Sequence, residues 1–285
     1  MEQKKPKALK ELNLLDRFLF SEVMEDPGTC RAVLEIILGK DIQLKESVQS
    51  EKELRTLPTF RGIRMDVWSQ DEEDCIYNTE MQGINKKNHP RRSRFYQSAL
   101  DAGLLKPGVI DFNHLNNVYL IMIAPFDLFG QNRCTYTFRM RCDQDPALCL
   151  DDGAVRMFLY TRGEPGPEGS EELQEFLRYV EHSNEHTAGH FASPRMQKLH
   201  DRVQSVKQNE GIEVKYMQLW EEMIMEREEG REEGRAEGRN EGRAEGAEQV
   251  SRLNLLLIEQ NRYEDLKKAS ESPEYRQQLF EEFGL

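Results

Sequence analysis

The sequence predicts a mixed α/β core followed by an acidic, helical C-terminal part. Three observations lead there. A hairpin pattern spans residues 63–82, two β-rich arms around a polar run. The continuous apolar run Val118–Ala124 reads as a strand buried on both faces. Apolar residues at helical spacing lie on either side of both.

Taken in order, residues 9–25 place Leu12, Leu15, Phe18, Leu19 and Val23 at helical spacing, and Pro27-Gly28 is expected to end that helix. A second helix carries Val33, Ile36, Ile37 and Leu38, with Gly39 at its C-terminal end. After the hairpin, residues 90–105 read as a helix, with Pro90 near the start and Phe95, Leu100 and Leu104 on its apolar face. Tyr136–Met140 and Val155–Tyr160 are further short strands. The turn-rich run 163–169 sets the expected end of the core, giving a domain over 1–163. A helical extension is expected over 164–228, with one apolar stripe at Leu173, Phe176, Leu177 and Val180 and another at Tyr216, Met217, Trp220, Met223 and Ile224. Over 229–247 Gly recurs every fourth residue beside Arg and Glu. Each such glycine costs a helix about 1 kcal/mol relative to alanine. The repeat therefore reads as a solvated marginal helix or flexible spacer before C-terminal helices over 248–285.

The 285 residues suit one large domain or a domain with an appendage, and 32% charged residues imply solvated helix or tail. A net charge of −13 argues against a chain that binds nucleic acid over its whole surface, but leaves a local basic patch open. Five cysteines without a CxxC pair point to reduced thiols rather than a disulfide framework or structural zinc. There is neither a signal-peptide-like start nor an apolar run long enough for a membrane span, so a soluble, cytoplasmic protein is expected, with no small-molecule cofactor.

The hairpin carries the chemistry. If its loop is centred on Glu73, Asp66 lies opposite Glu80 and Arg64 opposite Gln82, and Glu80 and Gln82 share a face. Directly opposed Cβ atoms are about 4.5–5.5 Å apart, where like charges destabilise the pair. A divalent cation between the carboxylates would remove that penalty, although two solvent-facing acids would need none. A basic stretch follows at once: residues 81–106 hold six Lys or Arg and one Asp, among them Lys86, Lys87, Arg91, Arg92 and Arg94, next to Tyr96. Cations that hold phosphates beside a carboxylate pair that holds a metal are what cleavage of a polyanion needs, although a solvated helix face would look the same.

Asp66 with Glu80-Met81-Gln82 resembles the Asp…(Asp/Glu)-X-Lys signature of the PD-(D/E)XK nuclease superfamily. More narrowly, it resembles the D…ExQ form of the Rpn-type recombination-promoting nucleases, a group also described as transposases. Residues 15–20, the Arg-x-Arg-Phe-Tyr-Gln stretch at 92–97, the run 118–125 and the Gly-Arg-Glu tail add to the likeness, which covers about residues 11–163. The resemblance implies a restriction-endonuclease-like αβββαβ core and metal-dependent DNA endonuclease activity linked to recombination or mobile elements. It implies Asp66, Glu80 and Gln82 as catalytic residues, with Mg²⁺ (or Mn²⁺ or Ca²⁺) on Asp66, Glu80 and the Met81 carbonyl. Asp16 is the candidate for a further acid on the first helix, with Glu35 behind it. DNA would lie on Lys86, Lys87, Arg91, Arg92, Arg94 and Tyr96. Cutting both strands in concert needs two such sites, which makes a homodimer an expectation. Gln82 in the lysine position can orient water but carries no charge. The alternative is a catalytically weak, transposase-derived binding or scaffold protein that acts through its helical tail.

One competing pattern lies outside the core. His182-Ser183-Asn184-Glu185-His186 fits the H-x-x-E-H arrangement of some zinc peptidases, and on a continuous helix its two histidines would share a face. Three fixed letters are easily met by chance, however, and an incidental histidine cluster or a plain surface helix, the favoured reading, would look the same.

Overall fold

The computed structural model describes residues 6–45, 47–54, 62–105, 108–166 and 169–285. The chain forms two compact units, Met1–Tyr216 and Met217–Leu285. In the first unit the order is α1 (Arg17–Met24), α2 (Pro27–Leu38), β1 (Gln49–Leu54), β2 (Ile63–Gln70), β3 (Ile76–Met81), α3 (His89–Leu104), β4 (Val118–Ala124), β5 (Thr135–Phe138) and β6 (Ala154–Tyr160). Helices α4 (Glu171–Glu181), α5 (Glu185–Ala188) and α6 (Pro194–Lys207) follow, and then α7 (Glu210–Glu259). The six strands form one mixed sheet in the order β1-β2-β3-β4-β6-β5. The pairs β1–β2, β2–β3 and β5–β6 are antiparallel, while β3–β4 and β4–β6 are parallel.

β4 lies between two parallel partners, which explains its unbroken apolar sequence. Ile121 and Ile123 point into a core shared with α1, α2, α4 and α6; Leu120 and Met122 point into a second core under α3, with Tyr96 and Leu100. The sheet is thus covered on both faces, and the hairpin of β2 and β3 sits next to its centre.

Three expectations need correction, and one strand, β1, has no counterpart among them. The helix over 9–25 is broken: a 3₁₀ turn at Leu9–Glu11 is followed by an irregular stretch, and Asp16 caps α1 by accepting the Phe18 amide at 3.0 Å. Short polar side chains compete in this way with a continuing helix. Pro27 starts α2 instead of ending α1; Asp26 caps it and Gly39, at φ 64°, closes it. β1 has the sequence Gln-Ser-Glu-Lys-Glu-Leu, so no apolar alternation announces it; it is an edge strand defined by its ladder with β2. The packing also does not divide at 163. Leu173, Phe176, Leu177, Val180, Met196, Leu199 and Val203 belong to the same core as α1, α2 and the sheet.

In the second unit, the Gly-Arg-Glu repeat is helical within α7. Leu253 and Leu257 pack with Ala269 of α8 (Tyr263–Glu271) and Leu279 of α9 (Pro273–Phe283) in a small separate core. No helix among the described residues is long and apolar enough to cross a membrane.

Candidate active site

The β2–β3 turn is organised by Asp71, whose Oδ1 accepts the amides of Glu73 and Cys75 and whose Oδ2 accepts the Tyr77 hydroxyl. Asp74 takes φ 61° beside it. The ladder pairs Gln70 with Ile76, Ser69 with Tyr77, Trp68 with Asn78 and Val67 with Thr79, so the hairpin is centred on Glu73. The next position in that register sets Asp66 against Glu80. Here side chains replace the backbone ladder: the Asp66 amide donates to Glu80 Oε1 at 3.0 Å, and the Met81 amide donates to Asp66 Oδ2 at 2.9 Å.

β2 is irregular at the same point. Met65 packs in the core under α3, but Val67, two residues on, packs in the opposite core. Strict alternation would keep them on one face, so the side-chain phase changes at Asp66. On β1, Glu51 falls opposite Asp66 in the register and has φ 50°. The distortion brings the Asp66 carboxylate to the Met81 amide. An extended residue directs its amide and carbonyl to the same side, so the Met81 carbonyl also faces Asp66.

Asp66 is 2% and Glu80 0% exposed. Burial raises the pKa of both. For Glu80 the neighbouring Asp66 charge adds to burial and the carboxyl is pushed up to about 8, against the pull of the Asp66 amide, Arg92 and Arg17. Two guanidinium groups offset the acids: Arg17 at the start of α1 pairs through Nε with Asp66 Oδ1, and Arg92 Nη2 of α3 reaches Glu80 Oε2 at 3.3 Å. Gln82 follows Glu80 on the same face; its Nε2 lies 3.4 Å from Glu80 Oε2 and its Oε1 accepts from Arg92 Nη1 at 3.0 Å.

The structure thus brings Asp66, Glu80, Gln82 and Arg92 together. The other basic residues behave differently. Lys86, Lys87, Arg91 and Arg94 are exposed, the two lysines in the loop before α3 and the two arginines on its outer face. Tyr96 does not offer a ring to a ligand: it is buried in the core under α3, where its hydroxyl accepts from Arg92 Nη2 at 2.6 Å. Residues 92, 96 and 100 recur on the inward side of α3, and it is Phe95 that is exposed. Asp16 serves as the cap of α1, and burial raises its pKa. Glu35 is tied to Arg31, Arg195 and the Ile42 amide. The H-x-x-E-H segment is not a continuous helix, since α4 ends at Glu181 and α5 starts at Glu185. His182 and His186 therefore lack the helical spacing that motif needs.

Two residues at the site escape the sequence reading. Arg17 is nearly fifty residues from Asp66 in the chain, and no local pattern links them. Asn78 is on the face of Glu80, two residues earlier, and alternation alone would have found it; it is fully buried with neither amide atom hydrogen-bonded in the protein.

Among the described residues, no three or more His, Cys, Asp or Glu side chains cluster so as to hold a metal ion. The donors that the site does present are the two carboxylates and the Met81 carbonyl. Such a small hard-oxygen set fits Mg²⁺, which keeps several of its own waters, and does not fit structural zinc. Compared with models of protein families, with curated proteins and with solved structures, the chain has no match.

Proposed function

We propose that the chain is a metal-dependent DNA endonuclease of the PD-(D/E)XK type, acting at Asp66, Glu80 and Gln82. One observation carries the reading: two buried carboxylates face each other where the β2–β3 ladder gives way, and each raises the cost of the other's charge. A fold seldom keeps such a pair without a use for it. The run α2-β1-β2-β3-α3-β4 supports the restriction-endonuclease-like core that the resemblance implies.

Asp66, Glu80 and the Met81 carbonyl would hold Mg²⁺ or Mn²⁺, which when bound supplies an acidified water and charge neutralisation at the phosphate. The protein's own groups do the rest. Gln82, on the face of Glu80, orients a water through its amide. Arg92 adds the positive charge that Gln82 lacks and is itself positioned by Tyr96. Lys86, Lys87, Arg91 and Arg94, exposed beside the site, hold the flanking phosphates. The test is nicking of plasmid DNA by the purified full-length chain with Mg²⁺ or Mn²⁺. Activity is expected to be lost in Asp66→Asn; equal activity in that variant refutes the assignment.

A second reading has its own support. Every oxygen of Asp66 and Glu80 already has a partner in the protein. A catalytically weak scaffold, with this cluster as a structural clamp, would show no metal-dependent cleavage and would keep its cellular role in Asp66→Asn.

A further inference from the structure

Arg17 and Arg92 both neutralise the acid pair, but they are held differently. Arg92 has several anchors: Glu80, Gln82 and Tyr96, whose ring centroid is 4.9 Å from the guanidinium carbon. It keeps its place if Glu80 turns to another cation. Among the described residues Arg17 forms an ion pair with Asp66 alone, and its side chain is 44% exposed while that of Asp66 is 2% exposed. It reaches in from the solvent side and can swing out again.

With both carboxylates ionised, as a bound cation requires, the charges of Asp66, Glu80, Arg17 and Arg92 cancel. A divalent cation on the two carboxylates makes the cluster doubly positive, and it competes for the oxygens on which Arg17 rests. Two cations on one buried carboxylate repel, so the guanidinium is released and needs a new anion. The anion at hand in the proposed reaction is the substrate phosphodiester, and a guanidinium is suited to its paired oxygens.

We propose that Arg17 is an exchangeable clamp, resting on Asp66 in the metal-free chain and moving to the nucleic-acid phosphate when metal and substrate bind. The inference rests on the metal-site reading above. It makes Arg17 a competitor of the metal and a substrate-binding residue at once. Metal and nucleic acid must then bind with positive coupling, each raising the affinity of the other by the same factor.

The experiment follows free Mn²⁺ by electron paramagnetic resonance during titration of the full-length, EDTA-stripped chain, with and without a phosphorothioate DNA duplex. In the wild type the duplex is expected to raise Mn²⁺ affinity about tenfold. In Arg17→Gln, which keeps a donor to Asp66 and removes the charge, Mn²⁺ alone is expected to bind about fivefold more tightly and the duplex effect to fall below about twofold. Arg17→Lys, which keeps the charge, should stay near the wild type for Mn²⁺ alone. A purely structural Arg17 would give the reverse, with weaker or unchanged Mn²⁺ binding in Arg17→Gln. A wild-type chain without coupling overturns the exchange whatever the variants do. Asp66→Asn separates the two levels: if it leaves Mn²⁺ binding intact, the metal-site reading fails and the exchange with it. If it abolishes binding but coupling is absent, only the exchange fails.

Discussion

The Asp66 amide donates to Glu80 Oε1 at 3.0 Å, so the residue whose charge disfavours ionised Glu80 also tethers it in place. Backbone geometry holds the two carboxylates together against their electrostatic preference. The first consequences are for stability without metal.

Between its ordinary value of 4.5 and about 8, the Glu80 carboxyl keeps a proton in the folded chain that it releases on unfolding. The folded state binds more protons there, so stability falls as pH rises through this window. The carboxyls of Asp26, Glu35 and Glu181, held low, act in the opposite sense but below this window. His89, held low by burial, opposes the trend only below its ordinary 6.5. The range from pH 6.5 to 8 is therefore the clearest. In EDTA, denaturant titration should show a loss of roughly 1–2 kcal/mol across it. Saturating Mg²⁺ should flatten the slope, and a flat profile in EDTA would mean that Glu80 is ionised throughout.

Glu80→Gln separates stability from activity. The amide oxygen can still accept from Asp66, and the buried like charge is gone. In EDTA at pH 8 the variant should be more stable than the wild type by on the order of 1 kcal/mol, despite the loss of an ion partner for the partly exposed Arg92. Its stability should no longer fall between pH 6.5 and 8. Metal-dependent nicking should drop by at least about 100-fold. A variant that is less stable and still active would show Glu80 to be a plain structural acceptor.

The register at the site is legible in the sequence because two β-rich arms around a polar run leave one centre, Glu73, and period-two alternation then sets Asp66, Glu80 and Gln82. The apolar run of β4 is legible for a similar reason. β1 is not, because an edge strand of polar residues is specified by its neighbour and not by its own pattern. Arg17 is invisible because its pairing with Asp66 depends on how α1 is placed by α2 and α6. Tyr96 departs from its expected place for a simpler reason: a basic segment invites an outward reading, although helical spacing turns residues 92, 96 and 100 inward together.

The exposed cations make a prediction separable from the carboxylates. Lys86, Lys87, Arg91 and Arg94 form no ion pair among the described residues, whereas Arg92 is committed to the site. Each phosphate contact contributes about 0.9 to the slope of log affinity against log salt on duplex DNA. Replacing all four by alanine should lower that slope by about 3–4, as read by fluorescence anisotropy over a salt series. Stability in EDTA should change by less than about 0.5 kcal/mol. An unchanged slope would place the DNA elsewhere.

The turn-rich run 163–169 suggests that residues 1–163 fold alone, but α4 and α6 fill the core that α1, α2 and the sheet leave open. Phe176, Tyr179, Leu199 and Val203 are fully buried in it, and the Ser183 hydroxyl accepts the Leu14 amide at 2.9 Å. Each large apolar side chain lost removes about 1.5–3 kcal/mol of burial, against a total stability of about 5–15 kcal/mol. A chain cut after residue 163 should therefore be insoluble or show no cooperative melting. A chain cut after residue 216 keeps these contacts and should melt cooperatively, as followed by circular dichroism and calorimetry. Cooperative melting of the shorter chain would show that α4–α6 only dress a core that is complete without them.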